Sequence, residues 1–148
     1  MTIQVSQVPA KHAFDVWPKV RPHLSRAAEY THGRFDVEDI LGLIVEGEQD
    51  LWIAFDGPDV KSAVTTSIVN YPRLRALCMQ FTGGDDLKEW KAPMLSLLQQ
   101  WAFDNNCDVI ESSGRPGWAK VFENDGHKPL WHTYELPVAS HGLGDDDG

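Results

Sequence analysis

Basic residues are scarce in this chain: 13 lysines and arginines stand against 22 aspartates and glutamates, giving a net charge of −9. That balance works against polyanionic partners, because nucleic acids and anionic membrane surfaces recruit proteins through clustered Lys and Arg. Neither is an expected partner. Cysteine is almost missing as well. Cys78 and Cys107 stand in apolar surroundings without metal-ligand spacing, and buried free thiols in a reducing compartment account for them. No apolar run approaches the roughly 18 residues that a membrane crossing takes, and the opening MTIQVSQVPAKH has no apolar core of the signal-peptide kind. The expected location is therefore the cytoplasm of the cell that makes the protein.

Two kinds of chemistry are excluded in the same way. Ser112-Ser113-Gly114 lacks the Gly-x-Ser-x-Gly frame and an ordered acid-histidine pair, so a hydrolase elbow is not expected. The histidines at 12, 23, 32, 127, 132 and 141 form no i, i+4 pair with an acid between them, so no metal site is expected.

What is present is an ordinary globular balance, 42% hydrophobic and 24% charged, in a chain long enough to bury a core without metal or disulfide. The reading is one domain over residues 1–138, followed by an acidic tail over 139–148 in which Asp145, Asp146 and Asp147 read as a solvated terminus.

The periodicities give an order of elements. Thr2 to Val8 alternates as a strand, and Phe14, Trp17, Val20, Leu24 and Ala28 recur at helical spacing in a segment that Pro18 and Pro22 are expected to bend or split. Asp36 caps a second helix carrying Ile40, Leu41 and Ile44, and Gly47 ends it. Strands follow over 50–55, 61–71 and 73–81, rich in Val, Thr, Ile and Leu. A long helix then carries Trp90, Met94, Leu97, Leu98 and Trp101; Pro93 lies inside it if it starts near Leu87 and in its first turn if it starts near Ala92. Residues 108–111 read as a short strand, Trp118, Val121 and Phe122 as a helix stopped by Gly126, and Leu130 to Val138 as a closing strand. The fold class is α/β (α+β): a mixed, mostly antiparallel sheet flanked by helices, in the order β-α-α-β-β-β-α-β-α-β.

That order resembles the GNAT acyltransferases over nearly the whole chain. The resemblance implies a sheet that splays between its fourth and fifth strands, acyl-CoA in the gap, and a pyrophosphate at the amides opening the following helix. The family's Gln/Arg-x-x-Gly-x-Gly/Ala motif matches Gln80-Phe81-Thr82-Gly83-Gly84, which would bind the cofactor. Asp85 stands where a small residue belongs, and Asp86 follows it; two carboxylates repel a diphosphate, and both are read as helix caps. The family's Asn-x-x-Ala-x-x-x-Tyr-x-x-x-Gly-Phe places Phe122 at the tyrosine that serves many members as general acid, and phenylalanine has no proton to give. Gly114-Arg115-Pro116-Gly117-Trp118-Ala119-Lys120-Val121 resembles a variant in small GNAT-like proteins of bacteriophages and prophages.

Glu111 is the candidate base; the alternative is that it pairs with Arg115 or faces water, and Asp108 and Glu46 are weaker options. His132 on the closing strand is read as a core histidine. The tryptophans at 17, 52, 90, 101, 118 and 131 leave Trp131 as spare aromatic surface for a protein contact. The resulting expectation is a catalytically degenerate GNAT-shaped component of a phage particle or its assembly. It would need no cofactor, have phage structural proteins or itself as partner, and lie in the host cytoplasm or the virion. The alternative is an acetyl-CoA-dependent N-acyltransferase acting on a small amine or a protein amine.

Overall fold

The computed structural model describes residues 2–113, 124 and 126–138. They fall into two compact units, residues 1–116 and 117–148. The first contains β1 (Gln4–Val8), a 3-10 turn (Ala10–His12), α1 (Ala13–Glu29), α2 (Val37–Val45), β2 (Asp50–Asp56), β3 (Asp59–Tyr71), β4 (Leu74–Gly84), α3 (Leu87–Asp104) and β5 (Val109–Ser112). The strands form one sheet in the order β1-β2-β3-β4-β5. All neighbours are antiparallel except β4 and β5, which are parallel.

Helices cover both faces of the sheet. Val20 and Leu24 of α1 and Ile40 and Ile44 of α2 join Leu51, Ile53, Ala63 and Phe81 in one core on the first face. On the other face Trp101 of α3 meets Trp52 of β2 edge-on, with ring centroids 5.4 Å apart. The Trp52 indole donates to the Thr66 hydroxyl at 2.8 Å, so this buried ring keeps no orphan donor.

Two details differ from the sequence expectation, and the open start of the long helix is settled. Helix α1 is continuous through Pro18 and Pro22. Being four residues apart, the prolines share one exposed face, so the missing bonds fall on the solvent side. Phe14 is exposed because Ala13, Val20 and Leu24 set the buried stripe, and Phe14 lies about 100° round the helix from Ala13. Helix α3 begins at Leu87, which leaves Pro93 in its interior. Asp36 and Asp39 form a reciprocal capping box at α2, the Asp36 amide donating to the Asp39 carboxylate at 2.8 Å.

In the second unit the expected closing strand is not formed: residues 126–138 carry neither helix nor strand. Leu130, Tyr134 and Leu136 alternate as a strand would, yet all three are exposed, and alternation specifies a strand only where one face is buried. The expected helix around Trp118 to Phe122 and the acidic tail lie outside the described residues. Among the described residues no helix is long and apolar enough to cross a membrane.

Candidate functional site

Among the described residues the pairing of β4 with β5 covers only part of β4. Their pairing runs from Ala76 opposite Val109 to Met79 opposite Ser112, and a last bond joins the Ser113 amide to the Met79 carbonyl at 3.2 Å. Strand β4 continues to Gly84 with β3 as its one neighbour among the described residues. The end of that pairing coincides with a bulge. Thr66 pairs with Met79 and Thr65 with Phe81, so Gln80 is the extra residue, and a bulge bends and twists its strand. Gln80 thus stands where the described pairing of β4 with β5 ends, the position at which the resemblance expects the two strands to splay. The buried Gln49 side chain donates through Nε2 to Gln80 Oε1 at 2.7 Å, tethering the bulge to the chain leading into β2.

The matched phosphate motif takes a different form from the expected loop. Thr82, Gly83 and Gly84 belong to β4, paired with Val64, Ala63 and Ser62. A Cβ on Gly83 would run into the His23 backbone carbonyl of α1, and one on Gly84 would lie 2.6 Å from Ser62 Cβ and 2.8 Å from the Lys61 carbonyl. Both missing side chains thus make room for neighbouring backbone of this chain.

At the start of α3, Asp86 is the N-cap residue with φ 56°, and its side chain makes no capping bond among the described residues. The reading of Asp85 and Asp86 as side-chain caps is therefore corrected. Asp85 pairs with Arg26 of α1 at 3.2 Å and Asp86 with Lys61 of β3 at 3.3 Å. The bond to Asp86 holds the Lys61 ammonium above its ordinary pKa, against a smaller opposing effect of desolvation. Arg26 also donates to His23 Nδ1 at 2.8 Å, and His23 Nε2 donates to the Val60 carbonyl at 2.9 Å. That network assigns the ring proton to Nε2. His23 is a hydrogen-bonded core histidine that ties α1 to β3.

Glu111 lies on β5 one residue before the described pairing with β4 ends, directly opposite Cys78. Its Oε1 accepts from the Tyr71 phenol at 2.8 Å and from the Cys78 thiol at 3.4 Å. Burial, then the bond to this carboxylate, pushes the Cys78 thiol up to about 12, and the bond to Glu111 holds the Tyr71 phenol above its usual value. A thiol of that kind stays protonated at neutral pH and offers no nucleophile. The expected alternative partner, Arg115, lies outside the described residues. Tyr71 and Cys78 were not anticipated as partners. The strand register would have brought Cys78 to Glu111, whereas nothing local brings Tyr71, forty residues away. The weaker candidates do other work: Asp108 accepts the Arg75 amide at 3.0 Å where β5 begins, and Glu46 is the exposed C-cap of α2. His132 belongs to the second unit, its ring 6.4 Å from that of Tyr134.

A bulged fourth strand, a parallel fifth strand paired with its first half, and a long helix between them on the opposite face from α1 and α2 define the GNAT acyltransferase fold. No family model and no curated protein sequence matches the chain. Solved structures with this architecture do. A ribosomal-protein-alanine N-acetyltransferase from Brucella melitensis biovar Abortus 2308 is similar with TM-score 0.69 and 14% identity, over 93% of this chain and 100% of that one. A predicted acetyltransferase from Clostridium acetobutylicum, solved with acetyl-CoA, has TM-score 0.68 and 14% identity, over 95% and 99%. An integron cassette protein from the mobile metagenome of V. cholerae has TM-score 0.66 and 13% identity, over 97% and 96%. At such identities the likeness establishes the fold alone.

Proposed function

We propose that the protein is an acyl-CoA-dependent N-acyltransferase, using acetyl-CoA as donor and a small amine or a protein amine as acceptor. The observation that carries this reading is that β4 continues through Gln80 to Gly84 beyond Met79, its last residue paired with β5, leaving an edge with no strand partner among the described residues. An unpaired strand edge presents backbone amides and carbonyls to an extended, amide-containing ligand, and the pantetheine arm is such a ligand. Gln80, Phe81, Thr82, Gly83 and Gly84 would hold it through their backbone. The thioester supplies an activated acyl carbon. Glu111 is the base beside it, taking a proton from the amine.

The diphosphate end fits less well. The carboxylates of Asp85 and Asp86 stand at the opening of α3, partly neutralised by Arg26 and Lys61, so affinity there rests on backbone amides against local negative charge. This observation favours a second reading, in which the fold serves as an interaction component of a phage particle or its assembly, with a phage structural protein or a second copy as partner. The absence of a phenol at Phe122 points the same way.

Thermal unfolding with acetyl-CoA separates the two. A ligand that binds the folded state raises the midpoint in proportion to ln(1 + [L]/Kd). The acyltransferase reading predicts a dose-dependent rise and release of free CoA when a primary amine is added. An unchanged midpoint at about 5 mM acetyl-CoA, several times the top of the ordinary range of enzyme KM values, leaves the interaction reading.

A further inference from the structure

A base where the pairing of β4 with β5 ends needs one carboxylate oxygen held and the other aimed. Glu111 meets the first condition. The two donors that reach it among the described residues, the Tyr71 phenol at 2.8 Å and the Cys78 thiol at 3.4 Å, converge on Oε1. The thiol is a weak donor at long range, whereas the phenol makes a short charge-assisted bond. Glu111 is only partly buried, and among the described residues the phenol is its strongest hydrogen-bond donor. Tyr71 is the last residue of β3 and is partly exposed, so the core does not require its hydroxyl.

We propose that Tyr71 is the positioning residue of the amine-accepting side, its phenol holding Oε1 of Glu111 so that Oε2 faces the incoming amine. The inference rests on the acyltransferase reading and deepens it. As the amine nitrogen forms its bond to the acyl carbon, its proton passes to Oε2. The carbon-sulfur bond then breaks with its electron pair going to the CoA sulfur, and the proton on Oε2 passes through water to that thiolate, which restores the Glu111 carboxylate. Tyr71 keeps its own proton throughout and touches neither substrate.

The experiment compares wild type, Y71F, E111Q and the double variant. Acetyl-CoA binding is followed by calorimetry, CoA release with a panel of primary amines by kinetics, and tyrosinate absorbance by alkaline titration. Y71F is expected to keep the wild-type acetyl-CoA Kd and melting temperature while kcat falls about tenfold, the loss of one hydrogen bond to a charged group. E111Q is expected to lose about a hundredfold, the lower range for a general base, and the double variant to lose no more. Only three tyrosines are present, and one of them should titrate at lower pH in E111Q than in wild type. Wild-type kcat in Y71F, multiplicative losses in the double variant, or a tyrosine titration that E111Q leaves unmoved would each overturn the role of Tyr71 while acyl transfer stands. Absence of acetyl-CoA binding, or binding without CoA release for any amine, overturns the acyltransferase reading and this inference together.

Discussion

The backbone carbonyl of His23 occupies the space that a Cβ on residue 83 would fill, so α1 and β4 meet backbone against backbone at Gly83. The obstacle is main chain inside a helix and does not swing aside as a long side chain would. Gly83→Ala is therefore expected to cost about 2–3 kcal/mol, the upper range for overpacking. At this chain length that lowers the melting midpoint by roughly 5–10 °C, measurable by calorimetry. An unchanged midpoint would mean that α1 does not approach β4 so closely.

Asp85 and Asp86 are expected to limit cofactor affinity more than they support the fold. Both carboxylates in their pairs with Arg26 and Lys61 are exposed to solvent, and such pairs contribute about 0.2–1 kcal/mol each. Removing two negative charges beside a diphosphate gains on the order of 1 kcal/mol each in a high-dielectric setting. The double variant Asp85→Asn, Asp86→Asn should bind acetyl-CoA about thirtyfold tighter, as read by calorimetry, with little change in stability.

Cys78 should be a slow thiol. With its pKa raised from 9.0 to about 12, the thiolate fraction at pH 8 is about a thousandfold below that of an unperturbed cysteine, and alkylation follows the thiolate. In a Cys107→Ala background, iodoacetamide should modify the folded protein far more slowly than the unfolded one, and Glu111→Gln should speed the reaction. The sign for stability follows: because the folded value exceeds the unfolded one, the contribution is complete below about pH 9 and is lost as pH rises toward 12.

Asp50 carries the opposite opportunity. Desolvation raises its pKa above 3.8, so the ionised form is disfavoured in the folded state at neutral pH. Asp50→Asn should stabilise the protein at pH 7 by less than about 1 kcal/mol, given its partial exposure. The gain should fade as pH falls through the aspartate range, where the wild-type carboxyl is itself neutral. Urea midpoints at pH 7 and pH 4 test both halves.

Much of the first unit was legible because alternation and helical spacing coincide with burial there. The Val- and Thr-rich runs became β3 and β4, and Trp90, Met94 and Leu98 became the buried stripe of α3. The pattern misled where burial did not follow it. Leu130 to Val138 alternates but is exposed, and Phe14 sits at helical spacing yet points outward. Glycine spacing was ambiguous for another reason: it shows that something approaches the backbone, not what. At Gly83 and Gly84 the approaching groups are α1 and β3. The contact between Tyr71 and Glu111 spans forty residues and depends on how far β3 extends past β4's partner strand, which no local pattern encodes.

The central claim, that the edge of β4 from Gln80 to Gly84 receives acyl-CoA, is tested most directly by calorimetric titration of the wild-type protein with acetyl-CoA. The account predicts saturable binding of one acetyl-CoA per chain, with Kd on the order of 1 μM to 1 mM, the range of ordinary enzyme KM values. No heat of binding up to several times the top of that range would contradict it.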